Sequence, residues 1–318
     1  MPRKYGYVDP LLSNLAVDYA LTARKGLIGP IIFPRVFVPK PSGKYAKYDK
    51  ETAYKVPDTT MAGERSQAKE WFASGKEESY ATTSHGLKRF IAEDDLRFME
   101  GPFKTWELRS VHSLVSMLEL SQEKRIADKV KALQGRSTTL DGVGDKSGNK
   151  WAGGKGDPIE AIKAAIAKCF VRPNVMVLPE DVYNVLEYHP AILTKLGEAN
   201  LIKKVDENNL SKLFRIPQVI ITEAKADFEK RNADGTVNIE SIWGDAVILA
   251  HTSKEWDAPC CGKTLCLQYA EADGQGYVVR TWDEEDGGVL GGEYVQVAHS
   301  TDELVVCNDL IYTIKGVI

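Results

Sequence analysis

The sequence predicts an α+β fold organised around one long amphipathic helix. Three observations support this prediction: a helical pattern over residues 103–133, alternating helices and strands over residues 158–255, and strands alone from residue 264 onward. A chain of 318 residues with 43% hydrophobic and 27% charged residues can bury a substantial core. We therefore expect a soluble, globular protein with two or three structural sections.

The long helix is predicted from about Phe103 to Leu133. Gly101-Pro102 precedes this stretch and Gly135 follows it, which is the usual pattern at the two ends of a helix. Apolar residues repeat at intervals of three and four, apart from a polar patch at residues 121–123, so one face is apolar almost throughout. About 30 residues at ~1.5 Å per residue give a rod of about 45 Å, longer than a compact domain usually requires. Taken alone, the helix fits a core helix of an α/β enzyme equally well.

The net charge is small but unevenly distributed. The formal net charge is −4. Residues 1–60 contain ten Lys or Arg and five Asp or Glu, whereas residues 270–310 contain ten acidic residues and Arg280 alone. The molecule as a whole is therefore not a polyanion binder. One basic face near nucleic acid and two ordinary solvated faces are both compatible with this distribution.

Targeting, membrane and metal signals are weak. The first thirty residues contain no uninterrupted apolar run, and no stretch of 18 apolar residues occurs anywhere. The five cysteines are odd in number and scattered, which is typical of reduced thiols in a cytoplasm. Cys260, Cys261 and Cys266 lack the paired spacing and the nearby His of a zinc site. We predict no membrane span, no metal and no cofactor.

Residues 30–90 are predicted to form a long two-stranded excursion, after a short helix at Asn14–Lys25. Four prolines between residues 30 and 41 exclude a helix there and disfavour a central strand, and strand-like residues return at Ser79–Ser84. An isolated hairpin is barely stable in water. Its length therefore favours contact with another subunit, and a flexible surface insertion is the alternative.

A mixed α/β unit is predicted over residues 158–255. Asp157 is a candidate N-cap with Pro158 at the first helical position. Strands are predicted at 174–178, 212–222 and 245–251, and later at 265–269, 276–282, 293–297 and 304–318.

Catalytic patterns are scarce. Residues 135–157 form a loop rich in Gly and hydroxyl side chains, but Gly142 and Gly144 lack the third glycine of a dinucleotide-binding loop. The five histidines lie far apart in the sequence, and none accompanies a nucleophile motif. We therefore predict no catalytic residues and no enzyme activity. An oligomeric enzyme that holds a phosphate ligand at residues 141–156 is the alternative.

The order of these parts resembles the major capsid proteins of tailed bacteriophages, which have the Hong Kong 97-like fold. The resemblance spans nearly the whole chain and rests most clearly on residues 27–36, 79–96, 174–193 and 305–315. It implies a segment-by-segment division into an N-terminal arm (1–29), an extended loop that overlaps the next subunit (30–90), a peripheral domain with the spine helix and the Gly-rich loop (91–157), an axial domain (158–255) and a return to the peripheral strands (256–318).

The resemblance also implies a function. The chain would be a structural protein that assembles as hexamers and pentamers into an icosahedral capsid around phage double-stranded DNA. Its partners would be copies of itself, the packaged DNA, and scaffold, portal and decoration proteins, but no membrane. It would reside in the virion after assembly in the host bacterial cytoplasm. A shell protein of a bacterial encapsulin-type nanocompartment has the same fold and is the alternative.

Two sets of candidate site residues follow from this interpretation. Large aromatic side chains dominate many protein interfaces, so the candidates for contacts between subunits are Tyr45, Tyr48, Trp71 and Phe72. Cations near packaged DNA neutralise phosphates without reading sequence, so the candidates for the lumenal, DNA-facing surface are Arg3, Lys4, Arg24 and Lys25.

Overall fold

The computed structural model describes residues 7–23, 26–47, 56, 59, 76–98, 106–140, 150–154, 156–197, 205–231, 237–255, 258–270, 276–287 and 289–318. The helices are α1 (Pro10–Ala23), α2 (Gly29–Ile32), α3 (Glu93–Phe98), α4 (Trp106–Lys131), α5 (Pro158–Lys168), α6 (Glu180–Glu187), α7 (Pro190–Gly197) and α8 (Glu207–Phe214). The strands are β1 (Tyr7–Val8), β2 (Arg35–Val38), β3 (Ser42–Lys47), β4 (Lys76–Ala81), β5 (Thr83–Ala92), β6 (Ser137–Thr139), β7 (Val175–Pro179), β8 (Gln218–Thr222), β9 (Lys225–Arg231), β10 (Val237–Ser241), β11 (Val247–Ala250), β12 (Gly262–Leu267), β13 (Tyr277–Glu284), β14 (Gly292–Val305) and β15 (Ile311–Lys315).

The predicted long helix is α4, with 26 residues and therefore a length of about 39 Å. Its apolar residues at helical spacing, including Val111, Leu118 and Ile126, are buried as expected. Several polar side chains of the same helix are also buried, among them two residues of the polar patch at 121–123. That patch was predicted to interrupt the buried stripe, and the structure corrects this prediction.

A six-stranded sheet lies against α4. Its strand order is β1-β13-β14-β12-β2, and β5 also pairs with β14. The β5 ladder is antiparallel and runs from Thr83 opposite Thr301 to Ala92 opposite Gly292. One face of this sheet packs against α1 and α4 in a common apolar cluster. Strand β14 has 14 residues, so it is much longer than the predicted strand at 293–297.

The second sheet forms the core of the mixed α/β unit. Its order is β6-β15-β11-β7-β8, in which β6 pairs parallel with β15 and β7 with β8. Asp157 is the N-cap of α5, as predicted: its side chain accepts hydrogen bonds from the amides of Ile159 and Glu160. The predicted strand at 212–222 is wrong in its first part, because α8 continues to Phe214 and Arg215 ends it with a left-handed φ of 54°.

The two-stranded excursion is narrower than its predicted range. Strands β3 and β4 form an antiparallel hairpin from Ser42 opposite Ala81 to Lys47 opposite Lys76. Strand β2 instead lies in the large sheet, parallel to β12, and β5 lies beside β14. The prolines did not exclude a helix, because Pro30 stands in the first turn of α2, where its missing N–H costs nothing.

Candidate assembly surfaces

The chain that leads into the hairpin is bound to the long helix through a buried carboxylate. Glu123 of α4 accepts hydrogen bonds from the backbone amides of Ile28 (2.9 Å) and Gly29 (2.6 Å) and from the indole N–H of Trp243 (2.7 Å). Burial raises the pKa of Glu123 above its ordinary value, and the three hydrogen bonds only partly oppose this. A side chain at Gly29 would place its Cβ 2.5 Å from the Glu123 carboxylate, so the close approach requires glycine.

A second buried cluster holds the first residue of β2. The guanidinium of Arg35 donates to both carboxylate oxygens of Glu119 at 2.8 Å and to Gln122, and the Tyr277 hydroxyl donates to Glu119. Burial alone would lower the pKa of Arg35, but Tyr277 and Glu119 more than offset it and raise the pKa above its ordinary value. Segment 28–35 is therefore attached to α4 at both ends, and we name it the strap.

A third polar contact joins α4 to the end of β14. Arg125 donates to Glu303 at 3.0 Å and also to the hydroxyl of Thr301. Burial alone would raise the pKa of Glu303, but the hydrogen bonds and charge of Arg125 lower it below its ordinary value. The apolar pattern of the sequence did not predict that these polar residues are buried. A signal was present, because residues 119, 122, 123, 126 and 130 repeat at intervals of three and four and so share one helical face.

The base of the hairpin packs on its own chain. Tyr45 and Tyr80 are only 8% and 9% exposed, in a cluster with Val38, Leu265 and Val306. The Tyr45 hydroxyl donates to a carboxylate of β4 at 2.8 Å. Most of the Tyr45 ring is thus already covered within one subunit, so little of it is left for a neighbour to contact.

The other candidate site residues lie outside the described residues. This holds for the remaining aromatic candidates and for all the basic ones: Tyr48, Trp71, Phe72, Arg3, Lys4, Arg24 and Lys25. Their roles therefore stay predictions. Residues 141–149 of the Gly-rich loop also lie outside the described part.

The face of the large sheet away from α4 has an aromatic row beside a basic row. The rings of Phe90, Tyr294 and Trp282 lie side by side on three neighbouring strands, with centroid distances of 4.9 and 5.1 Å. Two residues along each strand from the aromatic row, Lys88 and Arg280 lie on either side of Gln296, and both cations are exposed. Among the described residues, Tyr269 after β12 reaches this face at Ser300, whereas Lys88 and Arg280 remain exposed. We name the part around the two rows the uncovered face, and it is a candidate contact surface.

The described residues show no reactive centre open to a substrate. Burial and then the charge of Arg125 lower the pKa of His85, whose ring lies 5.8 Å from that of His299. A hydrogen bond from Cys261 lowers the pKa of Cys260 to about 6, yet both thiols are fully buried. Within this part of the chain, no three His, Cys, Asp or Glu side chains converge on a possible metal position. None of the helices described has both the length and the apolar character needed to span a bilayer.

Known proteins resemble this chain over nearly its full length. No protein-family model matches the sequence. The major capsid protein of Pseudomonas phage JBD67 is 25% identical over 312 residues, which cover 95% of this chain and 94% of that protein. The crystal structure of a phage-related protein from Bordetella bronchiseptica RB50 is similar with a TM-score of 0.72 and 19% identity, over 99% of this chain and 98% of that chain. This protein has the Hong Kong 97-like capsid fold.

The capsid fold confirms two predictions. The α+β class and the resemblance to phage major capsid proteins are both correct. The SrpI encapsulin of Synechococcus elongatus PCC 7942 has a TM-score of 0.53 and 9% identity, over 92% of this chain and 89% of that chain. The phage capsid relative supports a structural role in a capsid shell. Such a role agrees with the prediction of no enzyme activity. In such a protein, the hairpin and the uncovered sheet face are the candidate contacts between copies.

Proposed function

We propose that this chain assembles as hexamers and pentamers into an icosahedral shell that encloses phage double-stranded DNA. The observation that supports this most is the full-length similarity to the capsid protein of phage JBD67. A relationship across 95% of the chain includes the hairpin, the long helix and both sheets. The shell would form in the host cytoplasm and remain in the virion.

The geometry of the hairpin gives a physical reason for assembly. Among the described strands, β3 and β4 pair only with each other, and a two-stranded ribbon is marginal in water. The strap attaches the chain that leads toward the ribbon to α4. Because no third strand pairs with this ribbon among the described residues, it gains burial from a second copy. Contacts between different surfaces of identical chains close into rings when the rotation allows it.

Electron microscopy of the purified chain tests assembly directly. Negative staining should show closed shells of uniform size with five- and six-membered capsomers. Trp71→Ala should reduce shell formation, because the variant lacks a large aromatic side chain that we propose as a contact between subunits. A compact, well-folded monomer at high protein concentration would contradict the proposal, and normal shells from Trp71→Ala would contradict that residue's role.

The DNA-facing role needs its own test. Replacing the four basic candidates Arg3, Lys4, Arg24 and Lys25 by Ala should leave empty shells intact and reduce the DNA that they retain, because each cation neutralises phosphate. The matched control removes four exposed cations from the mixed α/β unit: Lys163, Lys195, Lys212 and Lys254. Equal DNA retention by both variants would contradict the role of the first set.

A nanocompartment shell is the second candidate, and the similarity to the SrpI encapsulin favours it. The two candidates differ in what the particles contain. Nuclease-resistant double-stranded DNA in particles from infected cells, together with scaffold, portal or decoration proteins, would support the phage capsid. An enclosed cargo protein without DNA would support the nanocompartment.

A further inference from the structure

The turn between β13 and β14 exposes two large apolar side chains. Val289 is 90% exposed and Leu290 is 52% exposed, although both follow an acidic stretch in which Glu285 and Asp286 are also exposed. Isolated exposed apolar residues need no explanation. Two adjacent ones at the end of a sheet, next to two carboxylates, form a small projecting feature, which we name the tip.

Tight packing at its base holds the tip in place. The ring of Phe90 lies against the backbone on both sides of the turn, where a Cβ would come within 2.7 Å of it at Gly287 and 2.6 Å at Gly292. At Gly291, φ is 79° and a Cβ would lie 2.7 Å from a backbone oxygen of Glu284. These close contacts favour glycine at all three positions.

The uncovered face of the same sheet contains a cavity of about 340 Å³. Its lining is mixed: the small apolar side chains of Val8, Val278 and Ala298 lie beside the polar side chains of Ser84, Tyr269, Arg280 and Gln296. Ligand pockets begin at roughly 300 Å³. This cavity therefore has room for one or two aliphatic side chains but not for a helix or a strand with its neighbours.

A copy's own tip cannot occupy its own cavity. Strand β13 continues for four residues from Arg280 to Glu284 before the turn begins, which is roughly 13 Å at about 3.3 Å per residue. The tip lies beyond the end of that strand, and the strand is held in the sheet by β14. Any tip that enters the cavity must come from another molecule.

Charge complementarity identifies that molecule as a second copy. The exposed cations Arg280 and Lys88 lie on either side of Gln296 in the basic row, and Arg280 and Gln296 line the cavity. The exposed carboxylates Glu285 and Asp286 precede the apolar tip in the same turn. We propose that Val289 and Leu290 of one subunit insert into this cavity of the next subunit, with Glu285 and Asp286 facing its basic row. This proposal rests on the proposed self-assembly. The two surfaces differ, so the contact is heterologous and repeats from copy to copy.

Charge reversal tests this pairing in the full-length chain. Arg280→Glu and Glu285→Arg should each reduce the yield of shells at least about tenfold, because each places like charges together across the contact. The double variant should recover most of the yield. Leu290→Asp should also abolish shells, and Leu11→Asp, at a 77% exposed position on α1, is the control that should assemble normally. Unchanged melting temperatures of the subunits verify that the variants fold.

A disulfide test gives a second measurement that does not depend on lost assembly. Subunits with Leu290→Cys are co-assembled with differently tagged subunits with Ala298→Cys and then oxidised. A mixed disulfide that joins the two differently tagged subunits is expected. No such disulfide is expected when Leu11→Cys replaces Leu290→Cys. Suppose that the wild-type chain forms shells. The proposed contact is then wrong, while the proposed function stands, if Leu290→Asp also forms shells, if the double charge-reversal variant does not recover the yield of shells, or if the mixed disulfide is absent. A wild-type chain without shells contradicts the proposed function itself.

Discussion

Glu123 in the long helix accepts a hydrogen bond of 2.7 Å from the indole N–H of Trp243, which lies just before β11 in the mixed α/β unit. The same carboxylate accepts hydrogen bonds from the backbone amides of Ile28 and Gly29 at the start of the strap. Both side chains are buried, at 1% and 0% exposure. One residue thus joins the long helix, the segment leading to the hairpin and the second sheet, so we expect these three parts to move as one body.

Removing this carboxylate should destabilise the subunit strongly. Glu123→Ala leaves three N–H donors without their acceptor, and each buried donor of this kind costs ~1–3 kcal/mol. We expect a loss of about 3 kcal/mol or more in the free energy of unfolding, measured by urea denaturation of dissociated subunits. Ser113→Ala, on the exposed side of the same helix, should change it by less than about 0.5 kcal/mol. Equal effects of the two variants would contradict the joining role of Glu123.

The contact between Arg125 and Glu303 predicts a pH dependence. Because the folded pKa of Glu303 lies below its ordinary value of 4.5, the unfolded chain binds more protons there and the folded state gains stability above that pH. This stability is present at neutral pH and is lost as the pH falls from about 4.5 through the lower folded pKa. The Glu303→Gln variant lacks this pH-dependent stability, so the difference in unfolding free energy between the wild type and the variant should shrink in acid. Denaturation at pH 7 and at a series of lower pH values measures this, and a difference that stays constant would refute it.

The approach of the strap to the large sheet requires a glycine. A Cβ at Gly262 would lie 2.4 Å from the ring of Phe33, and both residues are buried. Gly262→Ala should therefore cost about 1–3 kcal/mol in unfolding free energy through overpacking. Gly26→Ala is the matched control, because no atom lies within 4 Å of its added Cβ. Thermal unfolding of both variants measures the contrast, and a Gly262→Ala variant as stable as the control would show that Phe33 can move aside.

Tyr45 allows the intramolecular and intermolecular roles of the hairpin base to be separated. Because its ring is buried on its own chain, Tyr45→Ala should lower the stability of dissociated subunits by about 3 kcal/mol. Tyr188→Ala, at a 60% exposed position, should change it by less than about 0.5 kcal/mol. If Tyr45→Ala reduces shell formation but leaves subunit stability unchanged, the residue is a contact between subunits, as the sequence predicted.

Elements that depend on neighbouring residues were predictable. The α4 helix follows from apolar residues at intervals of three and four, and the Asp157 cap from a carboxylate directly before Pro158. Strand β7 follows from a short run of apolar residues and is fully buried. In each case the chain within a few residues supplies the physical cause, whether a periodic apolar face or an acceptor for free amides.

Elements that depend on distant partners were predicted less well. The start of β2 pairs parallel with β12, more than two hundred residues later, so the range of the excursion could not be read from its prolines. The last strand, β15, lies in the sheet of the mixed α/β unit between β6 and β11 rather than beside β14. Local composition is compatible with either sheet.

The sequence by itself determined the fold class, the long helix and the order of parts that resembles a capsid protein. Only the tertiary structure decided that the polar patch of α4 faces inward, because the donors that make burial of Glu123 possible lie 95 and 120 residues away along the chain. It likewise decided that Tyr45 is covered by its own subunit and that the tip and the cavity lie on one sheet. Burial and complementarity depend on which distant residues meet, and spacing along a chain does not contain that information.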